Sequence, residues 1–294
     1  MEKKLFLGIA DSDRYASVVL GDPSGKIIAT SVGGSVNHHH WGMEQARANL
    51  TRLIGETVGL DNLAYLGGAC FTYKADHAVA GRQVADLVAG VLDGTQVTVE
   101  EFARSSILGM QDNRCRLFLA GGQLGFAIFK NTMEQPVQLR KEVLMWNPAL
   151  HLKARLLEIL QTGGSQYQEE YFRVKSEIKG GKCICTMTQT LDQLAKEGCE
   201  LALALAFDLA HSLVQLVMSL SVHFSRFDPM IGLYGQVLLG SSTVRSRVRH
   251  MLGLLFPECR IVDAPFAPAK GAYLSSIRAR RLDFEQEVIS DVFT

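Results

Sequence analysis

Asp11, Ser12 and Asp13 fill the turn between two β-rich runs, residues 5–9 and 16–20. A turn joining two such strands is the kind that holds nucleotide phosphates, but this one has no glycine. Glycine lets backbone N–H groups approach phosphate oxygens, whereas two carboxylates repel a polyphosphate unless a divalent cation lies between them. Asp11 and Asp13 therefore read either as carboxylates facing a metal-bound polyphosphate or as caps of a polar turn. A second hairpin, Cys115 to Lys130, keeps its glycines, Gly121 and Gly122. Three consecutive histidines, His38 to His40, invite a metal reading. Neighbours in an extended loop point in different directions, however, and no spaced partner follows, so a solvated loop is the competing reading. Cys183 and Cys185 form one C-x-C pair without a second pair at zinc spacing, which fits an apolar strand better than structural zinc.

The elements that must position these groups follow from periodicity and turn signals. "DPSG" (Asp22 to Gly25) is a turn with proline at its second position, leading into a third strand over Lys26 to Ser31. Apolar residues at helical spacing (Ala46, Leu50, Leu53, Ile54) predict a helix over Met43 to Val58. A strand into "LGGAC", a helix over Ala78 to Leu92, a strand at Gln96 to Val99 and a helix over Glu100 to Leu108 come next. In that reading Glu100 and Glu101 sit in a first helical turn, where acidic residues favour the helix dipole. After the second hairpin come a helix from Pro148 to Leu160, one long or broken helix from Leu191 to about Ser225, and a buried strand in "MIGLYGQVLLGSS". A helix over Thr243 to Phe256, a strand at "CRIVDAP" and a closing helix from Gly271 to Arg281 complete the chain. A meander followed by alternating strands and helices implies a mixed sheet covered by helices. Two hairpin-bearing halves imply a duplicated architecture with a cleft between them.

The 294 residues are 47% hydrophobic, enough for a large core or two linked domains, and Lys plus Arg equals Asp plus Glu at 30 each. No global field gathers nucleic acid or an acidic membrane surface, so any anion site is local. The basic "RSRVRHM" (Arg245 to Met251) lacks interleaved aromatic residues and reads as a solvated helix face. The apolar run Leu201 to Val222 is interrupted by Asp208, His211 and Gln215, which predicts a buried core helix rather than a membrane span. Six scattered cysteines and no signal-peptide pattern before Leu5 lead to the expectation of a cytoplasmic protein.

The order of elements resembles that of sugar kinases, heat-shock chaperone ATPases and actin. More narrowly it resembles the N-acetylglucosamine kinase and BadF/BadG/BcrA/BcrD ATPase family, over most of the chain and by pattern more than by motif. The family's first hairpin reads G-V-D-G-G-G-T, followed later by D-x-x-G. With Gly8 on the first glycine, Asp22 and Gly25 fall on D-x-x-G without a gap. Ala10 then stands on the family's aspartate, Asp11, Ser12 and Asp13 on its three glycines, and Arg14 on its threonine. The resemblance implies Asp11 in the metal-holding role from one position along, with Asp13 as a further Mg²⁺ ligand and Ser12 beside the phosphates. "SVGGSVNHHHWG" resembles G-x-S-x-N-x-x-x-x-G, which places Asn37 on the sugar-contacting asparagine. "VTVEEFARS" has the strand-to-helix form of the segment carrying the catalytic base, with Glu101 on that base. Its extra methylene would displace the carboxylate by about an ångström. The second phosphate hairpin, S-G-T-G-S in the family, corresponds to Ala120, Gly121, Gly122, Gln123 and Leu124. "LMWNPALHL" replaces the sugar-binding G-D-x-G-S, as if part of the pocket were filled or rebuilt. "GLYGQVLLGSS" resembles the adenosine turn, with Gly235 and Gln236 on its glycine pair, and "PAKGAYLSSI" resembles the family's ending, where Gly271 lets a helix approach a sheet closely.

The resemblance implies an α/β, two-lobed actin-like ATPase, a duplicated ribonuclease H-like fold with mixed five-stranded sheets flanked by helices and an interlobe cleft. Residues 1–110 would form the N-terminal lobe and residues 111–294 the C-terminal one, with the last helix crossing back onto the first. The leading expectation is a degenerate member with weak or lost phosphoryl transfer that keeps nucleotide and sugar-like ligand binding. An active amino-sugar kinase using ATP and Mg²⁺, with Glu101 as base, is the alternative, and a non-enzymatic scaffold, alone or as a homodimer, is a third. No nucleic-acid or membrane partner is expected.

Overall fold

The computed structural model describes residues 4–11, 15–73, 78–110, 116–121, 125–130, 144–162, 168–179, 184–221 and 230–292. The chain divides into two compact units, residues 1–111 with 266–294 and residues 112–265.

The first unit begins with the meander β1 (Leu5–Asp11), β2 (Tyr15–Gly21) and β3 (Ile27–Gly34). The turn between β2 and β3 closes where Asp22 Oδ1 accepts from the N–H groups of Ser24 and Lys26, with Gly25 at φ 95°. Helices α1 (His38–Trp41) and α2 (Met43–Val58) follow, then β4 (Leu66–Tyr73), α3 (Ala78–Val91), β5 (Val97–Glu101) and α4 (Phe102–Gly109). The sheet order is β3-β2-β1-β4-β5, with β1, β4 and β5 parallel and the meander antiparallel.

The second unit repeats this plan. Strands β6 (Arg116–Gly121), β7 (Gly125–Lys130) and β8 (Leu144–Trp146) form an antiparallel meander. Helices α5 (Pro148–Thr162), α6 (Gln168–Lys179), α7 (Ile184–Lys196) and α8 (Glu200–Leu220) lead to β9 (Met230–Tyr234). The run ends with α9 (Gln236–Gly240), α10 (Ser242–Leu255) and β10 (Arg260–Asp263). The order β10-β9-β6-β7-β8 places two parallel strands on one side of the central strand and the antiparallel pair on the other, as in the first unit. Helix α11 (Ala267–Val292) then returns to the first unit.

Strand alternation sorts the first sheet into two faces. Leu7 and Ile9 join Val36, Leu50, Leu53 and Val88 in the core under α2 and α3. Phe6, Ala10 and Val19 pack against Ala269, Tyr273 and Ile277 of α11. Gly8 permits that second contact, since a Cβ there would lie 2.0 Å from the Ala269 carbonyl oxygen. Tyr273 is fully buried and its hydroxyl donates to the Asp22 carbonyl at 2.6 Å. Burial, with the nearby Asp22 charge, pushes this phenol up to about 12.

Several expectations are corrected. Strand β5 runs two residues further than its sequence pattern implies, because Glu100 and Glu101 pair with Thr72 and Tyr73 of β4. Helix α4 therefore opens with no acidic residue in its first turn, and Glu101 is its N-cap. The His38–His40 stretch is a helical turn rather than an extended loop, closed by the Trp41 N–H donating to the Asn37 carbonyl. Cys185 lies in α7 and not in a strand, because Met187, Leu191 and Leu194 recur at helical spacing and are buried; Cys183 lies outside the described residues. Of the long or broken helix expected from Leu191, the structure has the broken form: the chain turns at Gly198, which has φ 89°, and α8 restarts with its Leu201 N–H donating to Glu170 at 2.9 Å. Helix α8 is long and apolar enough to cross a membrane by length and composition, yet Leu205, Leu209, Leu213 and Val217 sit in the core of the second unit. The close approach at Gly271 is to α4, not to a sheet: a Cβ there would meet the Ser105 carbonyl oxygen at 1.7 Å.

Candidate active site

The parallel strands β1, β4 and β5 all end at the same edge of the first sheet. Their register aligns Ala10 with Thr72 and Glu100, so Asp11 and Glu101 extend the next rung, beside Tyr73. Residues on one rung share a face, and two strand spacings put their backbones about 10 Å apart. Asp11 and Glu101 therefore sit at one sheet end on the α2–α3 face, both half-buried. Glu100 belongs to the opposite face, where it pairs with Arg104 at 3.5 Å and accepts from the Ser275 hydroxyl at 3.3 Å.

The connection from β3 to α1 lies against Asp11. Its Oδ1 accepts from the Val36 N–H at 3.0 Å and its Oδ2 from the Ser35 hydroxyl at 3.2 Å. Ser35 Oγ in turn accepts from the Asn37 N–H at 3.1 Å. Asn49 of α2 holds the Ser35 carbonyl at 2.8 Å and accepts from Gln45 at 3.0 Å. Asp11 thus ties the 35–37 segment to the end of β1 and stands one hydroxyl away from Asn37. A carboxylate has about four acceptor sites and can contact a cation while it accepts hydrogen bonds. Mg²⁺ characteristically takes one or two carboxylates together with substrate phosphates, so the donor set fits that ion. Among the described residues no three His, Cys, Asp or Glu side chains gather as a metal-binding group.

In the second unit the end of β6 meets the turn after β9. Gly235 has φ 91°, and a Cβ there would lie 2.4 Å from the Gly121 carbonyl oxygen. A Cβ on Gly121 would press on Val237 and Leu238 at 3.2 and 3.1 Å. These two glycines let the second hairpin and the β9–α9 turn touch backbone to backbone, which no side chain would allow. Gln236 follows the turn; its side-chain carbonyl is buried without a partner among the described residues.

Behind this turn lies a residue that sequence reasoning missed. Asp192 of α7 is 6% exposed and accepts from the Thr243 N–H at 2.7 Å, the Ser241 hydroxyl at 3.0 Å and Lys196 at 2.7 Å. Burial alone would raise its carboxyl, but the hydrogen bonds from Lys196, Thr243 and Ser241 override it and hold the group well below the usual carboxylate range. Ser241 is the N-cap of α10 and accepts from the Val244 N–H at 3.2 Å. The Ser-Ser-Thr run before α10 signals a cap in the sequence; nothing local signals that an aspartate some fifty positions earlier holds it.

The structure therefore brings Asp11 and Asn37 together, places Glu101 on the rung of Asp11, and joins Gly121 to Gly235 beside Gln236. Ser12, Asp13 and Gly122 lie outside the described residues.

No protein-family model matches the sequence, and no curated protein sequence matches it. Solved structures do. An ROK family glucokinase from Streptomyces griseus, in complex with glucose and AMPPNP, is similar at a TM-score of 0.60 with 12% identity, over 93% of this chain and 99% of that one. The activator of 2-hydroxyisocaproyl-CoA dehydratase from Clostridium difficile, with bound ADPNP, is similar at 0.56 with 13% identity, over 96% and 97%. Component A of the (R)-2-hydroxyglutaryl-CoA dehydratase of Acidaminococcus fermentans is similar at 0.54 with 15% identity, over 95% and 99%. The fold is that of the actin-like ATPases and sugar kinases.

Proposed function

We propose that this chain is a divergent relative of the BadF-type ATPases and N-acetylglucosamine kinases that binds an adenine nucleotide with Mg²⁺ and has weak or lost phosphoryl transfer. Gly121, Gly235 and Gln236 would receive the nucleotide, with Ser12 and Gly122 in the phosphate turns. Asp11, with Asp13, would hold Mg²⁺, and Asn37 would face a sugar-like ligand. The bound metal would supply charge neutralisation at the phosphates.

The observation that carries this reading is the face exchange on β1. The resemblance puts the family's aspartate on Ala10, which is fully buried against α11. The carboxylate one residue later falls on the other face and is engaged in holding residues 35 and 36. A site built to transfer phosphate needs its charged groups within about half an ångström of the productive geometry, which a carboxylate on the wrong face does not supply.

One feature favours an active kinase instead: continuing the β1–β4 register by one residue puts Asp11 on the rung and face of Glu101. Calorimetry with ADPNP and Mg²⁺, followed by coupled assays with ATP and amino sugars, separates the readings. We expect nucleotide binding with negligible turnover. Turnover abolished by Glu101→Gln would establish the kinase, and no heat or thermal shift at millimolar nucleotide would leave the scaffold reading.

A further inference from the structure

The opposite edge of the first sheet carries a pocket of about 210 Å³ lined by Lys4, Tyr65, Gly67, Gly94, Gln96 and Arg280, with Ala64 and Leu66. It sits where β1 and β4 begin and just before β5. Thr72, at the candidate active-site edge, is six positions further along β4 from Leu66, about 20 Å at strand rise. The pocket is thus separate from Asp11 and Glu101, and its chemistry is independent of any nucleotide bound there.

Its lining carries two cations and, among the described residues, no carboxylate. Neither Lys4 nor Arg280 has an acidic partner among the described residues. Two cations lining one concavity raise the local potential and attract an anion. The glycines leave the space open: a Cβ on Gly67 would already press on Lys4 and Phe6 at 3.2 Å, and Gly94 holds φ 74° with nothing within 4 Å of where its Cβ would be. The volume is below the usual range for cofactor-sized ligands but sufficient for a tetrahedral oxyanion carrying a few further atoms. A guanidinium can grip such an oxyanion through two parallel N–H groups while an ammonium adds a point charge. Tyr65, 49% exposed at the rim, offers a ring surface to whatever the anion carries.

We propose that this pocket is a second ligand site on the first unit, binding a phosphate dianion, free or as the phosphoryl group of a small phosphorylated metabolite, between Lys4 and Arg280.

The test is calorimetric titration of the full chain with inorganic phosphate and, separately, with a hexose 6-phosphate. Wild-type protein should bind one equivalent, Lys4→Gln and Arg280→Gln should each weaken binding about ten-fold, and the double variant should lose it. Both side chains reach solvent, so the variants should melt like wild type; charge reversal at Lys4 alone gives a second measure should the double variant melt early. Saturating ADPNP should leave phosphate binding in place. A hexose phosphate that binds more tightly than phosphate, with the advantage lost in Tyr65→Ala, assigns a phosphorylated sugar; equal affinities assign free phosphate. Unchanged affinity in the double variant, displacement by ADPNP, or no heat at about 20 mM phosphate would overturn the site.

Discussion

Asp192 and Tyr273 show how single polar groups fix this chain, and each makes a pH-resolved prediction. Asp192 accepts from a backbone N–H, serine hydroxyls and a lysine while almost fully buried, so Asp192→Asn should destabilise the second unit by about 2–4 kcal/mol. Its folded pKa lies below the unfolded value of about 3.9, so the contribution is complete above that value and fades as pH falls through the folded one. Urea melts of the two proteins should therefore differ by a constant amount at neutral pH and converge below about pH 4. Tyr273 has the opposite sign. Its folded pKa of about 12 lies above the ordinary value of 10.0, so its contribution is present at neutral pH and is lost as pH rises from the one towards the other. Tyr273→Phe should cost about 1 kcal/mol at pH 7 through the lost bond to the Asp22 carbonyl, and the gap should close in alkali. Neither role was legible in the sequence, because both partners lie far along the chain. The carboxylates at the candidate site could be named from sequence, yet their faces could not, since a one-residue shift along a strand reverses them.

At the scale of elements, local pattern sufficed where an element's own residues decide its form. Helix α2 spans Met43–Val58, the range its apolar spacing predicts, and the first meander and the β6–β7 hairpin follow from alternation and turn chemistry, whereas no such pattern marks β8. It failed where a neighbour decides. Glu100 and Glu101 have the composition of a helix start, but hydrogen bonding to β4 draws them into a strand. The α4–α11 pair is the most exacting contact of the first unit. Cβ atoms on Gly109 and Gly271 would lie 1.8 and 1.7 Å from carbonyl oxygens of the partner helix. Gly271→Val should accordingly separate these helices and cost about 3 kcal/mol or more, read as early loss of the first unit's thermal transition, while Gly253→Ala on α10, with open space at its Cβ position, should leave the melt nearly unchanged.

At the scale of the molecule, the second unit is one uninterrupted stretch inserted between α4 and α11 of the first. It owns its sheet and the core built on α8, so a fragment of residues 112–265 should give cooperative unfolding and dispersed amide signals by itself. Residues 1–111 alone should not, because Phe6, Ala10 and Val19 would lose their cover. The same arrangement sets a schedule for synthesis. On the ribosome the meander emerges first, but α11 follows only after about 230 further residues, roughly 12–47 s at ordinary elongation rates. Through that interval a row of bare apolar side chains on the nascent sheet faces solvent, a natural target for a holding chaperone, and the half of the protein that is translated first is the half that matures last.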